Sequence, residues 1–142
     1  MADNPPEGFP RVTPYLFYED TDGALEFIVR AFGFTERYRM PGPDGRSIHA
    51  EAELGDGVVM MGTPGPEYRN PVRLGGPTAM TYVYVDDVDA HHAGAKTAGA
   101  QIVTELADQT YGDRNYTAKD PEGQLWTFAQ RIRDVSPEDG HP

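Results

Sequence analysis

The chain has 142 residues, with 23 acidic and 12 basic side chains, a formal net charge of -11 at pH 7 and no cysteine. This length fits one domain, or two small halves that share a core. The negative charge argues against nucleic-acid binding, because phosphate backbones would be repelled, and the lack of cysteine excludes disulfides and thiolate chemistry. Without the apolar runs of a signal peptide or membrane span, we expect a cytoplasmic protein that does not bind membranes.

The first half of the chain predicts one strand, one helix and three more strands. β-Branched and aromatic residues indicate a strand at 12–18. A helix follows at about 23–32, with Asp20 or Asp22 as its N-cap and Gly33 at its end. Strands are then expected at 35–40, 48–54 and 58–61, because the sequence PGPDG is typical of a turn and residues 48–54 alternate with period two.

The second half repeats this order. It predicts a strand at 80–85, a helix near 89–98, and strands at 101–106, 114–119 and 125–131. Acidic residues match at a shift of 67 residues (Glu19 on Asp86, Asp20 on Asp87, Asp22 on Asp89), and GDGVVMM matches PEGQLWT at a shift of 66. Two matches at nearly one spacing indicate a duplication.

These elements predict an α+β fold with one domain at 11–133. The first unit covers about 11–63 and the second about 78–133. Residues 64–77 contain too much glycine and proline for regular structure, so we expect a long loop there. The polar ends at 1–10 and 134–142 are expected to be flexible. A sheet with its helix on one face leaves the other face to curl, so two such halves predict a cleft that takes a ligand.

Four segments together resemble the vicinal oxygen chelate superfamily, which includes glyoxalase I, extradiol dioxygenases, fosfomycin-resistance enzymes and bleomycin-resistance binding proteins. They are TPYLFYEDTDGALEFIVRAFGFTERYRM, HAEAELGDGVVMMG, YVYVDDVDAHHAGAKTAGAQIV, and YGDR followed by DPEGQLWTF. The resemblance implies two βαβββ modules in tandem, concave mixed sheets around a cleft, and frequent homodimers. It does not settle function, because this fold hosts metalloenzymes as well as proteins that only bind.

The metal site of the family's enzymes does not carry over to this chain. There, His, Gln or Glu side chains from the first and last strand of each module hold a divalent ion, which needs nitrogen or oxygen lone pairs. The matching positions here are Thr13, Met60 or Met61, Met80 and Thr127. Threonine and methionine are poor ligands for such an ion, so we expect neither a metal nor another cofactor.

Strand alternation from these positions predicts the walls of a small-molecule site. We assign no catalytic residue, and the predicted ligand-binding residues are Tyr15, Phe17, His49, Glu51, Met60, Met80, Tyr82, Asn115, Thr117 and Thr127. An aromatic, methionine-rich wall suits a flat or cationic ligand, with tyrosine hydroxyls and Asn115 fixing its orientation. Aromatic and methionine side chains that alternate along strands more often belong to a core. Here, however, the opposite face already has residues that supply a core: Leu16, Tyr18, Val83, Val85, Trp126 and Phe128.

Several polar residues leave alternatives open. His49 and Glu51 fit three roles: polar residues that line a pocket, ordinary polar residues at the edge of a strand, or residues that take part in catalysis or bind a metal. His91 and His92 are interpreted as surface residues of the second helix, and Asp113 with Arg114 as a structural pair. His141 belongs to the tail.

The resulting hypothesis is a metal-free binding protein of the bleomycin-resistance type. It would form a homodimer and confer antibiotic resistance by sequestering an aromatic or cationic natural product. The alternative is a lyase, isomerase or dioxygenase of the same superfamily, which would use His49 and Glu51 or a displaced metal site.

Overall fold

Residues 2–136, the part of the chain that the computed structural model describes, form two modules with the same order of elements. The first contains β1 (Tyr15–Phe17), α1 (Thr21–Phe32), β2 (Thr35–Pro41), β3 (Ser47–Leu54) and β4 (Gly57–Gly62). After a linker with the short helix α2 (Pro71–Leu74), the second contains β5 (Met80–Tyr84), α3 (Val88–Thr97), β6 (Gln101–Asp108), β7 (Asp113–Lys119) and β8 (Leu125–Arg131). The predicted α+β fold with tandem modules is confirmed.

Each module contributes one four-stranded mixed sheet. Sheet A has the strand order β1-β4-β3-β2, and sheet B has the order β5-β8-β7-β6. The first strand of each module is parallel to its last strand, whereas the other pairs are antiparallel. Helix α1 packs on sheet A, α3 packs on sheet B, and the two helices contact each other.

The repeated acidic residues are helix caps. The Asp20 side chain accepts a hydrogen bond from the Gly23 N–H at 3.0 Å, and the Asp87 side chain accepts one from the Ala90 N–H at 3.1 Å. Each cap satisfies a backbone donor that has no partner within its helix. The acidic match at a shift of 67 residues therefore reflects the same cap in both modules.

The repeat match in the last strand needs a correction of one residue. Tyr15 pairs with Met60 in sheet A, and Tyr82 pairs with Thr127 in sheet B, so Met60 is the equivalent of Thr127. The match at a shift of 66 had aligned Met61 with Thr127 instead. Met61 is fully buried in the core. The difference arises because the paired residues Glu51 and Met60 are nine positions apart, whereas the equivalent pair Thr117 and Thr127 is ten positions apart.

An aromatic core joins the two modules. The Phe32 ring lies 5.5 Å from the Trp126 ring and 4.7 Å from the Phe128 ring, measured between centroids. Tyr18, Trp126 and Phe128 are completely buried, and the other predicted core residues pack against this cluster (Leu16, Val83 and Val85). Trp126 thus faces the core, as alternation predicts.

The turn between β7 and β8, residues Asp120 to Gln124, connects the second module to the first; we call it the clasp turn. The Asp120 carboxylate accepts hydrogen bonds from the Tyr18 hydroxyl at 2.6 Å and the Trp126 indole N–H at 3.1 Å. The Glu122 carboxylate accepts the backbone N–H groups of Glu19 at 2.6 Å and Asp20 at 2.8 Å. The clasp turn therefore fixes the connection between β1 and α1 against the second module.

The linker contains more regular structure than the sequence predicts. Residues 64–77 were expected to form a loop throughout, but Pro71–Leu74 forms the one-turn helix α2. The Asn70 side chain caps it by accepting from the Arg73 N–H at 3.2 Å, and Gly75 ends it with a φ of 98°. The cap and a proline at the first helical position explain why a helix forms in a proline-rich stretch.

Gly123 in the clasp turn should not tolerate a side chain. Its φ is 89°, and a Cβ atom there would lie 2.8 Å from Val72 Cγ2 and 3.0 Å from the Val72 backbone nitrogen. Gly123→Ala should therefore lower the free energy of unfolding by about 1 to 3 kcal/mol, through both backbone strain and the displaced α2. Urea denaturation measures this loss. Gly65→Ala is the matched control, because a Cβ atom at Gly65 meets no atom within 4 Å.

The chain ends are described only in part. Residues 2–14 form no helix or strand, and the Phe9 ring lies 4.6 Å from the Arg37 guanidinium carbon. The expected flexibility of the ends stays a prediction, and His141 lies outside the described residues. No helix within residues 2–136 is long and apolar enough to cross a membrane.

Candidate functional site

The predicted ligand-binding residues lie on the sheet faces opposite the shared core, one set on each sheet. Face A, on sheet A, contains Tyr15, Phe17, His49, Glu51 and Met60; face B, on sheet B, contains Met80, Tyr82, Asn115, Thr117 and Thr127. Four of the large apolar side chains are 38 to 51% exposed (Tyr15, Phe17, Met80 and Tyr82). Alternation therefore predicted the composition of each face.

Three further exposed side chains extend these faces. Tyr38 and Met40 of β2 are 47% and 40% exposed, and they lie beside Glu51 and His49 on face A. Tyr84 of β5 is 59% exposed and continues face B. Period-two alternation along β2 is the signal that would have found Tyr38 and Met40, although a register shift between Glu36 and Tyr38 interrupts it.

No hydrogen bond or ring contact joins face A to face B within residues 2–136. A cavity of about 370 Å³ does lie where the modules meet, beside the edge strand β5. Its lining includes Pro14, Val58, Tyr82 and Tyr84. Of the predicted ligand-binding residues, only Tyr82 contributes to this cavity.

Face A carries a chain of polar side chains. The Tyr15 hydroxyl lies 2.9 Å from His49 Nδ1, and His49 Nε2 lies 2.9 Å from Glu51 Oε2. The other Glu51 oxygen lies 3.6 Å from Arg37 Nε, and Arg37 also bonds Glu53 at 3.2 Å. Burial, with the nearby Glu51 charge, raises the pKa of the Tyr15 hydroxyl. Face A is thus aromatic at its edges and titratable at its centre.

Face B carries a buried carboxylate beneath two tyrosines. The Asp113 carboxylate accepts from the Tyr82 hydroxyl at 2.6 Å and the Tyr84 hydroxyl at 2.9 Å, and it pairs with Arg131 at 3.2 Å. Burial opposes ionisation of Asp113, but these three donors outweigh it and lower its pKa. Burial and hydrogen bonding to Asp113 raise the pKa of both tyrosines.

The predicted pairing of Asp113 with Arg114 is wrong. Neighbouring residues on a strand point to opposite faces, so their side chains cannot meet. Arg114 instead pairs with Asp89 and Asp108, each at 3.0 Å. Asp113 pairs with Arg131 of the adjacent strand β8.

Asn115 supports face B from below. The residue is 5% exposed, and its amide donates to the hydroxyls of Tyr82 and Tyr111 at 3.0 Å each while its oxygen accepts from Gln109 at 3.1 Å. These hydrogen bonds are made within the protein. What face B presents to solvent is the ring surface of Tyr82 and Tyr84 rather than free amide and hydroxyl donors.

The positions that match the family's metal ligands do not fit a metal. The Thr127 hydroxyl contacts the Met80 sulfur at 2.8 Å and the Thr117 hydroxyl at 2.7 Å, and Met60 lies on the other sheet. Thioethers and threonine hydroxyls are poor donors for a hard divalent cation. Within residues 2–136, no group of three or more His, Asp or Glu side chains is placed to hold a metal ion.

His91 is half-buried and packs against the aromatic core, so its interpretation as a surface residue is wrong. His91 Nδ1 lies 2.6 Å from the Tyr116 hydroxyl, Nε2 lies 2.7 Å from the Phe32 carbonyl oxygen, and the imidazole lies 4.2 Å from the Phe128 ring. Burial lowers the pKa of His91, and it outweighs the hydrogen bond to the Phe32 carbonyl, which alone would raise that pKa. His92 is also covered in part, with Nε2 3.0 Å from Glu105.

Two tandem βαβββ modules with a shared core and open outer sheet faces define the class of protein. Residues 8–128 match the family model of the Glyoxalase/Bleomycin resistance protein/Dioxygenase superfamily. The chain belongs to this superfamily.

Sequence relatives and solved structures agree with this assignment. An uncharacterized protein of Mycobacterium bovis is 38% identical over 132 residues, which cover 89% of this chain and 87% of the relative. The crystal structure of TioX from a Micromonospora species is 36% identical, covers 85% of this chain and 98% of its own, and has a TM-score of 0.72. TnmS3, an antibiotic binding protein from a Streptomyces species, has the same fold at 20% identity, with a TM-score of 0.65 and coverage of 84% and 93%.

Proposed function

We propose that this chain is a metal-independent small-molecule-binding protein that sequesters a flat aromatic or cationic natural product, such as an antibiotic, in the cytoplasm. The observation that carries this proposal is the pair of exposed aromatic sheet faces, A and B. Aromatic and methionine side chains on strands are normally core, but here a separate core already covers the opposite face of each sheet. Exposed apolar patches of this kind mark binding surfaces.

The arrangement of polar groups supports a ligand with a flat face. On face B, the Tyr82 and Tyr84 hydroxyls are tied to Asp113, which fixes both rings. Their ring faces remain open, and such faces bind aromatic planes or cations. The acidic net charge favours a basic ligand. The fold that the chain shares with TnmS3, an antibiotic binding protein, agrees with such a role.

We propose further that a homodimer completes the binding site. Face A and face B are both open in one chain, and a two-fold arrangement would cover face A of each copy with face B of the other. Two equivalent closed sites would result, because a two-fold interface uses the same surfaces twice. Sedimentation equilibrium should then give twice the chain mass of 15.6 kDa. A monomer at micromolar concentration would contradict this arrangement.

Calorimetric titration with a panel of aromatic and basic antibiotics tests the binding function. Trp126 fluorescence is a poor reporter, because this residue is fully buried on the core side. For a compound that binds, Tyr82→Ala should raise Kd by about 10- to 100-fold, since a buried aromatic contact contributes about 1.5 to 3 kcal/mol. Leu74→Ala is the matched control, because Leu74 is 69% exposed and lies on α2.

Two outcomes would contradict the proposed function. If no aromatic or basic compound binds, or if Tyr82→Ala and Leu74→Ala change Kd equally, face B is not the binding surface. A recovered compound of altered mass would instead show that the chain also converts the ligand that it binds. Mass spectrometry of the compound before and after binding separates sequestration from turnover.

A further inference from the structure

Tyr15, His49 and Glu51 form a continuous hydrogen-bonded chain on face A. The Tyr15 oxygen lies 2.9 Å from His49 Nδ1, and His49 Nε2 lies 2.9 Å from Glu51 Oε2. The His49 and Glu51 side chains are only 18% and 14% exposed, so the hydrogen bond between them is partly shielded from water. Strand pairing fixes its geometry, because His49 and Glu51 are two residues apart on one face of β3, and Tyr15 reaches them from the edge strand β1 across β4.

The chemistry of the three groups determines which of them donates and which accepts in each hydrogen bond. An ionised carboxylate can only accept, so Glu51 fixes the proton of a neutral His49 on Nε2. Nδ1 then carries a lone pair, which accepts the Tyr15 hydroxyl proton. An imidazole held by a carboxylate on one nitrogen and facing a hydroxyl with the other has the arrangement of a general base.

We propose that these residues form a metal-independent acid–base site that moves a proton on an aromatic ligand bound to face A. His49 is the base, Tyr15 is the hydrogen-bond donor, and Glu51 is a positioning residue. This activity goes beyond binding and depends on the proposed function only for the location of the ligand.

The step balances without any co-reactant. The Tyr15 hydroxyl turns from His49 to an acceptor oxygen of the ligand. An acidic C–H of the ligand gives its proton to Nδ1, and the electron pair of that bond moves through the ligand to the acceptor oxygen. The resulting imidazolium is stabilised by Glu51. Return of the proton to another atom completes an isomerisation, whereas departure of the acceptor oxygen as a leaving group completes an elimination.

The surroundings of His49 fit an aromatic substrate. The Tyr15 ring lies 5.5 Å from the imidazole and the Tyr38 ring lies 6.3 Å from it, measured between centroids. Arg37 pairs with the outer oxygen of Glu51 at 3.6 Å, which leaves the inner oxygen directed at His49. The base thus lies between two aromatic rings.

Nitrobenzisoxazole is a suitable probe, because it is flat, aromatic and needs only a base. Loss of its ring C–H proton breaks the N–O bond and releases a coloured cyanonitrophenolate. The full chain should accelerate this reaction above buffer. His49→Gln should lower the rate by about 100-fold, which is within the usual range for a general base. Tyr15→Phe should lower it by about tenfold, because the leaving oxygen loses its donor.

The positioning role of Glu51 has its own readout. Glu51→Gln should lower the rate and also change its pH dependence, because the neutral amide no longer stabilises the imidazolium. A purely structural ion pair with Arg37 would leave the pH dependence unchanged. His92→Gln is the matched control: it removes the other His–Glu pair, which joins α3 to β6 away from face A, and should keep the rate.

Two results would overturn the proposal. One is a wild-type rate no higher than that of free imidazole at equal concentration, and the other is a rate that His49→Gln leaves unchanged. Should His49→Gln fail to fold, Tyr15→Phe and Glu51→Gln decide the question. Calorimetric binding of antibiotics is measured separately, so loss of turnover with binding retained rejects the acid–base site and leaves the proposed function standing.

Discussion

Replacing Asp120 by alanine should lower the free energy of unfolding by about 3 to 5 kcal/mol, because several buried donors lose their acceptor at once. Asp120 is 4% exposed and accepts from the Tyr18 hydroxyl, the Trp126 indole, and the backbone N–H groups of Glu122 and Gln124. Burial raises the pKa of Asp120 despite these donors. Urea denaturation of the purified variant measures the loss.

Two controls separate the hydrogen bonds from the turn itself. Asp120→Asn keeps one acceptor oxygen but presents an amide group to the remaining donors, so it should lose less than Asp120→Ala. Asp56→Ala removes an exposed carboxylate from the equivalent turn of the first module and should change stability by less than about 0.5 kcal/mol. If Asp120→Ala stays within about 1 kcal/mol of the wild type, the clasp turn does not hold the modules together.

The sequence predicts the strand register next to Asp120, but it does not predict which residues the clasp turn contacts. Strand alternation predicts that Tyr82 and Thr127 share one face, and the pairing of these two residues agrees with that register. The sequence did not predict that Glu122 accepts from Glu19 and Asp20, which lie about 100 positions earlier. Local composition specifies a turn, whereas its partner depends on how the two modules pack.

The same limit applies to the candidate site. Period-two alternation placed every predicted residue of β1, β3, β5 and β7 on the correct face, because strand geometry is local. It did not reveal that Tyr82 and Asn115 make their hydrogen bonds inside the protein. The Tyr82 hydroxyl donates to Asp113, for which the sequence predicts a pair with the neighbouring Arg114 instead. The composition of each face was predictable, but its free hydrogen-bonding capacity was not.

His91 shows why helical residues were harder to place than strand residues. Helix α3 is short and rich in alanine, so its apolar stripe is weak. A polar residue on this helix is therefore predicted to be exposed. The covering surface comes from the other module, through the Phe32 carbonyl, and from Tyr116 of β7. A half-buried imidazole held by one carbonyl oxygen and one hydroxyl is thus a consequence of the packing between modules.

Acid should weaken the fold through His91. Its pKa in the folded protein lies below the ordinary value of 6.5, mainly because of burial. The unfolded chain therefore binds a proton more readily, so the contribution of His91 is fully present above about pH 6.5 and is lost as the pH falls through and below that value. Chemical denaturation between about pH 7.5 and pH 5 should show a falling free energy of unfolding.

His91 variants test this assignment. His91→Ala should lower the free energy of unfolding by about 2 to 4 kcal/mol at neutral pH, since it removes a ring packed on Phe128 and leaves the Tyr116 hydroxyl without its acceptor. His91→Gln offers both a donor and an acceptor but does not titrate, so its stability should depend less on pH in this range. His92→Gln retains His91 and should keep the acid sensitivity. If His91→Gln lost stability in acid as steeply as the wild type, the pH dependence would have to come from groups other than the imidazole between the modules.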